Sequence, residues 1–561
     1  MSRFNRRTLL RYSLLSAGAA LARPAFSATH SSGNRHGNDT FVIDDTSAVA
    51  ETDSGKVAGY IHNNIRVFKG IPYAEIHAPE SRWMRGTKVK PWAGVRSSRA
   101  AGPACPPTAA GGGGEAMDEM AFRGSGSQLV RLGEDCLRVN VWTPGLDNRK
   151  RQVLFYCHGG GYNGGSSLMG SFYEGTNLAQ YGDVVVVSMN HRLNAFGFLD
   201  LTAYGSRWAD SANVGMLDVV DALKWVHTNI ANFGGDPNKV MIFGHSGGGS
   251  KVTALLSMPE AKGLFNRAVA QSPGPLPLAS PEEGAVRTDA FLKLVNVSPS
   301  NLDALHKLSS EQIARAAGSV AATANQGRDR FDYVGKPDIA WRPVVDGHTV
   351  AYEPTRPNAP SDVPLMIGTV LHEFVSALGH PEYEQMKEAE ARDAMRVMFG
   401  PATDEVYDTY KTAFPQANAF EVSAIARAMG RFRGNSVKVA QNRAAVNAAP
   451  SYLYWVQWRS RNFGGLAMSH HEIEMPLVFQ NSDITPEFTG ATDEARALSV
   501  KMTDSWLAFA RTGNPNTKAL PEWKPVTATN PSCMVFDSTC RIDPGSDAKA
   551  IEVFWKSRKY S

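Results

Sequence analysis

The sequence predicts an α/β fold: a large, mostly parallel central sheet with helices on both faces and long loop insertions. From residue 150 onward, short β-branched runs alternate with longer segments of helical period, the pattern of strands joined by crossover helices. The runs are also continuously apolar rather than alternating, as a strand covered on both faces requires. They are Val153-Leu154-Phe155-Tyr156, Val184-Val185-Val186-Val187 and Val240-Met241-Ile242-Phe243, followed later by Leu365-Met366-Ile367 and Tyr452-Leu453-Tyr454-Trp455-Val456. Between the second and third runs, Leu217, Val220, Leu223, Val226 and Ile230 recur at three- and four-residue steps and predict one buried helical stripe.

Taken in chain order, residues 1–28 carry Arg3, Arg6, Arg7, Arg11 and Arg23 with no acidic residue, then an uncharged run from Tyr12 to Ala22 and the small residues around Ala25-Phe26-Ser27-Ala28. This reads as a twin-arginine-like signal peptide, so export to the periplasm or medium of a bacterium is expected. The uncharged run is too short to span a bilayer as a helix. Residues 29–50 are polar and read as a mobile leader, with the fold starting near Ser54 and a single catalytic domain over 51–561. Gly111 to Gly114, with Gly124-Ser125-Gly126-Ser127 behind them, read as a flexible loop inside that domain.

Of 561 residues, 43% are hydrophobic and 20% charged, which excludes a disordered chain. Setting aside the five arginines of the first 28 residues leaves 53 basic against 54 acidic residues, so the concentrated basic face that nucleic-acid binding needs is absent from the composition. No nucleic acid is expected as partner.

The chemistry concentrates where the third run meets Gly244-His245-Ser246-Gly247-Gly248 and then the helix-like Val252, Leu255 and Leu256. A serine on a tight strand-to-helix turn needs flanking glycines, because a β-carbon there would strike neighbouring backbone. Its hydroxyl is a poor nucleophile unless an imidazole takes the proton, and the oxyanion formed at an attacked carbonyl needs fixed donors. His158-Gly159-Gly160-Gly161-Tyr162, directly after the first run, supplies a side-chain-free loop suited to that task.

With these motifs the chain resembles the type-B carboxylesterases and cholinesterases of the α/β-hydrolase fold, from about Gly55 to about Trp523. The resemblance also rests on Phe68-Lys69-Gly70-Ile71-Pro72-Tyr73-Ala74, Pro91-Trp92-Ala93-Gly94-Val95, Glu134-Asp135-Cys136-Leu137-Arg138-Val139-Asn140, Asn229-Ile230-Ala231-Asn232-Phe233-Gly234-Gly235-Asp236-Pro237, Gln271-Ser272-Pro273, and Trp506 through Pro515. It implies a catalytic Ser246, an acid at Glu373 within Gly368-Thr369-Val370-Leu371-His372-Glu373, and a base at His471, which fits the family spacing H-x-x-E-x-x-x-V-F through Glu474 and Phe479 where His470 does not. It implies an oxyanion hole of Gly160, Gly161 and Gly247, and a disulfide between Cys105 and Cys136.

Cys533 and Cys540 flank a strand and turn and could pair, while Cys157 reads as a buried free thiol. The chain departs from the family at His372, where Asp is usual, and at His245 and Gly247, where Glu and Ala are usual. Loss of the carboxylate at 245 weakens attraction for cationic substrates, so a cholinesterase is not expected.

The expected function is hydrolysis of small carboxylic esters through an acyl-enzyme, with no cofactor and no metal. The same groups would serve an amide or carbamate hydrolase, and a non-catalytic binding protein of this fold is the third reading.

Overall fold

The computed structural model describes residues 40–108, 131–325, 339–357, 361–374, 377–378 and 380–557. Its main sheet has twelve strands, β1 (Phe41–Val42), β2 (Tyr60–His62), β3 (Ile65–Pro72), β4 (Arg138–Thr143), β5 (Arg151–Cys157), β6 (Val185–Met189), β7 (Gly235–His245), β8 (Arg267–Gln271), β9 (Leu365–Val370), β10 (Ser451–Val456), β11 (Cys533–Phe536) and β12 (Arg541–Asp543). Their spatial order is β1-β2-β3-β4-β6-β5-β7-β8-β9-β10-β11-β12. From β6 through β11 every neighbouring pair is parallel, while both margins are antiparallel. A separate three-stranded sheet holds Val49–Thr52, Gly55–Ala58 and Val95–Ser97.

The continuous apolarity of the central strands has a direct structural counterpart. Successive side chains of a strand point to opposite faces, and here both faces are core. Val153, Phe155 and Cys157 of β5 join one buried cluster, and Leu154 and Tyr156 join the other. Val240 and Ile242 of β7 divide from Met241 and Phe243 in the same way.

Among the helices, α1 (Thr176–Gly182) and α5 (Asp493–Thr512) contribute to the second cluster; α2 (Val214–Asn229), α3 (Gly247–Leu255) and α4 (Gly434–Ala445) contribute to the first. The stripe read from the sequence lies on α2 and its C-terminal cap, with Leu217, Val220, Leu223, Val226 and Ile230 all buried. No described helix is long and apolar enough to cross a membrane.

Three expectations need correction or placement. The described fold begins before Ser54: β1 pairs with β2, and the Phe41 ring stacks on His62 at 4.3 Å, so part of 29–50 belongs to the sheets. A two-residue strand is too short to give a periodic signal in the sequence. The arginine-rich segment 1–28 and the Gly111 to Ser127 loop lie outside the described residues.

The structure holds no Cys105–Cys136 disulfide: both are buried free thiols, and the Cys105 sulfur accepts the Leu193 N–H at 3.3 Å. Cys533 and Cys540 are also unbridged. Cys533 belongs to the first core cluster, whereas Cys540, in the turn before β12, packs against the second. Cys157 is a buried free thiol.

The tightest backbone approach lies where α3 meets β5. A β-carbon on Gly248 would fall 1.9 Å from the Cys157 carbonyl oxygen, and one on Gly244 would fall 2.6 Å from Gly248 itself. Gly248→Ala therefore forces α3 away from the sheet, and urea unfolding of the variant should give a stability loss of about 3 kcal/mol. An unchanged midpoint would mean that the contact relaxes freely.

Candidate active site

Ser246 joins the end of β7 to the start of α3 with φ 58° and ψ −121°, a conformation that costs a non-glycine residue energy and persists because its surroundings fix it. Its N–H donates to the Gln271 carbonyl at 2.8 Å, and its own carbonyl accepts the Gly274 N–H at 3.2 Å and the Ser250 N–H at 3.0 Å. Ser246 is half-exposed, whereas the residues flanking it on β7 and α3 are buried. The elbow thus lifts one hydroxyl out of an otherwise closed core.

Glu373 follows β9, also at positive φ (54°), and is fully buried. One carboxylate oxygen accepts the Ser272 hydroxyl at 2.9 Å and the Val370 N–H at 3.1 Å. The other meets Nδ1 of His471 in a short hydrogen bond. Fixing Nδ1 on a carboxylate sets the tautomer and leaves Nε2 as the basic nitrogen.

The His471 ring is packed by Phe374 at 3.9 Å, His245 at 4.4 Å and Phe432 at 5.1 Å between ring centres. His470 points elsewhere, with Nε2 on the Phe488 carbonyl at 3.3 Å. His372, the departure beside Glu373, is buried and takes the Ser469 N–H on Nδ1 at 3.3 Å, and burial holds it neutral by lowering its pKa far below the ordinary value.

The glycine loop packs directly on the elbow: a β-carbon on Gly159 would lie 3.5 Å from Cβ of Ser246. Gly160 and Gly161 have φ of 90° and 61°, which only glycine adopts freely, and a β-carbon on Gly160 would collide with the Gly164 carbonyl at 2.4 Å. Gly247 begins α3 opposite this loop. A β-carbon on it would fall 2.4 Å from the Gly161 nitrogen, closer than an alanine permits. Gly160, Gly161 and Gly247 thus gather at one place beside Ser246.

Three neighbours complete the site, of which the sequence marked only His245, as a departure from the family. His245, in place of the family's usual Glu, is buried, and its Nε2 bonds the His471 carbonyl at 2.8 Å. A carbonyl only accepts, so Nε2 carries the proton and the imidazole braces the backbone of the next imidazole. Glu474, quoted above only as part of a spacing pattern, is a second fully buried carboxyl, accepting the Tyr454 hydroxyl at 2.8 Å. Burial, with nearby Glu373 adding to it, pushes its pKa up to about 8. Phe432 comes from a distant helix and carries no motif, so nothing in the local sequence marks it.

A nucleophile elbow after a parallel strand, a carboxylate-held imidazole and a glycine loop on a sheet of this topology define an α/β-hydrolase. Residues 46–554 match the Carboxylesterase family. The chain is 31% identical to the para-nitrobenzyl esterase of Bacillus subtilis over 512 residues, 90% of this chain and 98% of that one. It is also 31% identical to the phenmedipham hydrolase of Pseudarthrobacter oxydans, over 87% of this chain and 95% of the relative.

Among solved structures, an esterase from Clostridium hathewayi described as able to hydrolyse aliphatic aromatic polyesters superposes with a TM-score of 0.78 at 30% identity, covering 93% of this chain and all of that one. A Geobacillus stearothermophilus carboxylesterase gives 0.74 at 33%, covering 90% of this chain and all of that one. The protein belongs to the carboxylesterase family and is a hydrolase acting on carboxylic esters.

The raised Glu474 makes a pH prediction with a definite sign. A carboxyl whose folded pKa lies near 8 against an ordinary 4.5 stabilises the fold as the neutral acid, and that contribution is lost as pH rises from about 4.5 through about 8. Glu474→Gln mimics the neutral acid and does not titrate. In melts recorded from about pH 5 to about pH 9, the variant should gain several degrees on the wild type as pH rises; parallel curves would contradict a raised pKa at Glu474.

Proposed function

We propose that the ester hydrolysis proceeds through an acyl-enzyme on Ser246, with His471 as general base and acid and Glu373 as its orienting carboxylate. The observation that carries this reading is the buried Glu373–His471 pair packed on His245, the residue next to a half-exposed serine on a strained elbow. His471 takes the Ser246 proton as the oxygen attacks the ester carbonyl. The negative charge on the former carbonyl oxygen is met by N–H groups of Gly160, Gly161 and Gly247. The alcohol leaves with the proton, and a water deprotonated by His471 releases the acid. No step calls for a metal or cofactor.

Phe374 and Phe432 against His471 support small, uncharged, apolar esters as substrates. His245 removes the carboxylate that would draw a cationic alcohol, so choline esters are poor candidates. Amides and carbamates would use the same groups, and the choice among them turns on leaving-group fit. The intact serine, glutamate and histidine weigh against a binding protein without activity. The arginine-rich residues 1–28 support export as the route to an oxidising compartment.

Side-by-side hydrolysis of p-nitrophenyl esters from acetate to long-chain acyl groups by wild type and Ser246→Ala tests the mechanism. The variant should lose about 10⁴-fold or more in kcat, while its melting temperature moves by only about 1 to 2 °C. Retained turnover in a folded Ser246→Ala protein would overturn the assignment.

A further inference from the structure

Lys251 stands on α3, one turn beyond the elbow, and is fully buried. Its Nζ donates to the carbonyl oxygens of His158 and Gly161, both at 3.0 Å, and lies 5.2 Å from the centre of the Tyr162 ring. These are the first and last carbonyls of His158-Gly159-Gly160-Gly161. Peptide units are planar, so holding a carbonyl also orients the N–H of the next residue. The peptides carrying the Gly160 and Gly161 N–H groups therefore lie between two anchored ends.

Within the loop, His158 Nδ1 bonds the Gly159 carbonyl at 2.8 Å and the N–H groups of Asn163 and Gly164 reach the Gly160 carbonyl at 3.3 Å, while Lys251 holds the two outer carbonyls from α3. Gly247 makes room for the anchoring. A β-carbon on it would sit 2.2 Å from the Gly161 oxygen and hold the loop off the first turn of α3, where Lys251 reaches it.

The charge is as informative as the contacts. The titratable groups facing Lys251 are Cys157 at the end of β5, His158 and Tyr162 in the glycine loop and His191 after β6. Burial keeps all four neutral, pushing Cys157 up to about 12 and His158 down to about 3, with Tyr162 raised and His191 lowered far from their ordinary values. Glu353 and Arg342 act electrostatically on Tyr162 in opposite directions. No described carboxylate pairs with Lys251.

An ammonium in a dry interior without a counter-ion is costly to the fold. Its two direct hydrogen bonds go to the loop that would meet the oxyanion, where a fixed positive charge favours the transition state over the neutral ester.

We propose that Lys251 is a positioning residue for ester hydrolysis: its ammonium clamps both ends of the glycine loop and holds the Gly160 and Gly161 N–H groups, beside Gly247, against the oxygen that turns negative. The proposal rests on the Ser246 mechanism above and adds to it a group that touches neither substrate nor nucleophile. Burial pulls the Lys251 pKa down to about 7, so the positive charge is present below that pH and is lost as pH rises through it. His471 acts as base only when unprotonated, which gives the rising limb. Together the two groups make kcat rise and then fall across neutral pH; Glu474 also titrates toward the alkaline side but is common to wild type and variants, so the difference between their profiles isolates Lys251.

The test is the pH dependence of kcat and KM for p-nitrophenyl butyrate, corrected for hydroxide background, with the full chain as wild type, Lys251→Met and Lys251→Arg. A fluorophosphonate label reports the competent serine in each. Wild-type kcat should peak near neutrality and fall several-fold on the alkaline side. Lys251→Met should lose about 10²-fold in kcat, near the loss of one oxyanion donor, with KM within about threefold and no alkaline fall. Lys251→Arg, permanently charged, should keep most of the peak rate and hold it at alkaline pH.

Wild-type kcat in Lys251→Met, or an alkaline fall in Lys251→Arg parallel to that of the wild type, would overturn the proposal. If Lys251→Met does not fold, the comparison of Lys251→Arg with the wild type decides it. A wild type that neither turns over the ester nor takes the label would instead overturn the Ser246 mechanism.

Discussion

The backbone turn at Ser246 is the constraint on which the site depends. Its positive φ is tolerable only because the carbonyl of Gln271 on β8 fixes the serine N–H while Gly274 and Ser250 hold its carbonyl. Gly244 and Gly248 let the strand, the helix and β5 come within distances that no side chain allows. The parallel sheet supplies the rigidity: β7 lies between β5 and β8, so the elbow is braced from both sides by strands that also launch the glycine loop and Ser272. Strain at Ser246, Ser272 and Glu373, all at positive φ, is concentrated within this one region.

Around that turn the site is organised by burial. Glu373 is held by a hydroxyl, an amide and an imidazole, which fixes its carboxyl for the orienting role proposed above. Glu474, equally buried and a short way off, is pushed toward the neutral acid, so two carboxyls in one interior do not compete for one charge. Replacing the family's usual glutamate by His245 removes a third acid from this neighbourhood and puts a hydrogen-bonding ring against His471 instead. Dry surroundings also strengthen the donors of the glycine loop, since fixed dipoles act with little screening away from water.

Much of this was legible in the sequence because backbone geometry imposes residue types. Continuous apolar runs marked the doubly covered strands, and glycines at 160, 161, 244, 247 and 248 marked places where chain meets chain. Spacing also separated His471 from His470, and their side chains take different partners. What did not appear was set by long-range packing. Phe432 reaches His471 from a helix with no motif, and Lys251 looks like an ordinary helix residue until the loop carbonyls are seen on it. The cysteines also carry no bridge that the sequence could be read for: Cys105 and Cys136 are free thiols, as are Cys533 and Cys540.

The most direct measurement of the account's central claim is a rapid-quench reaction with a slowly deacylating p-nitrophenyl ester, followed by peptide mass mapping. The account predicts a burst of one p-nitrophenol per protein and an acyl group on the peptide that contains Ser246. Steady turnover with no covalent species, or an acyl group mapped to any other residue, would contradict it.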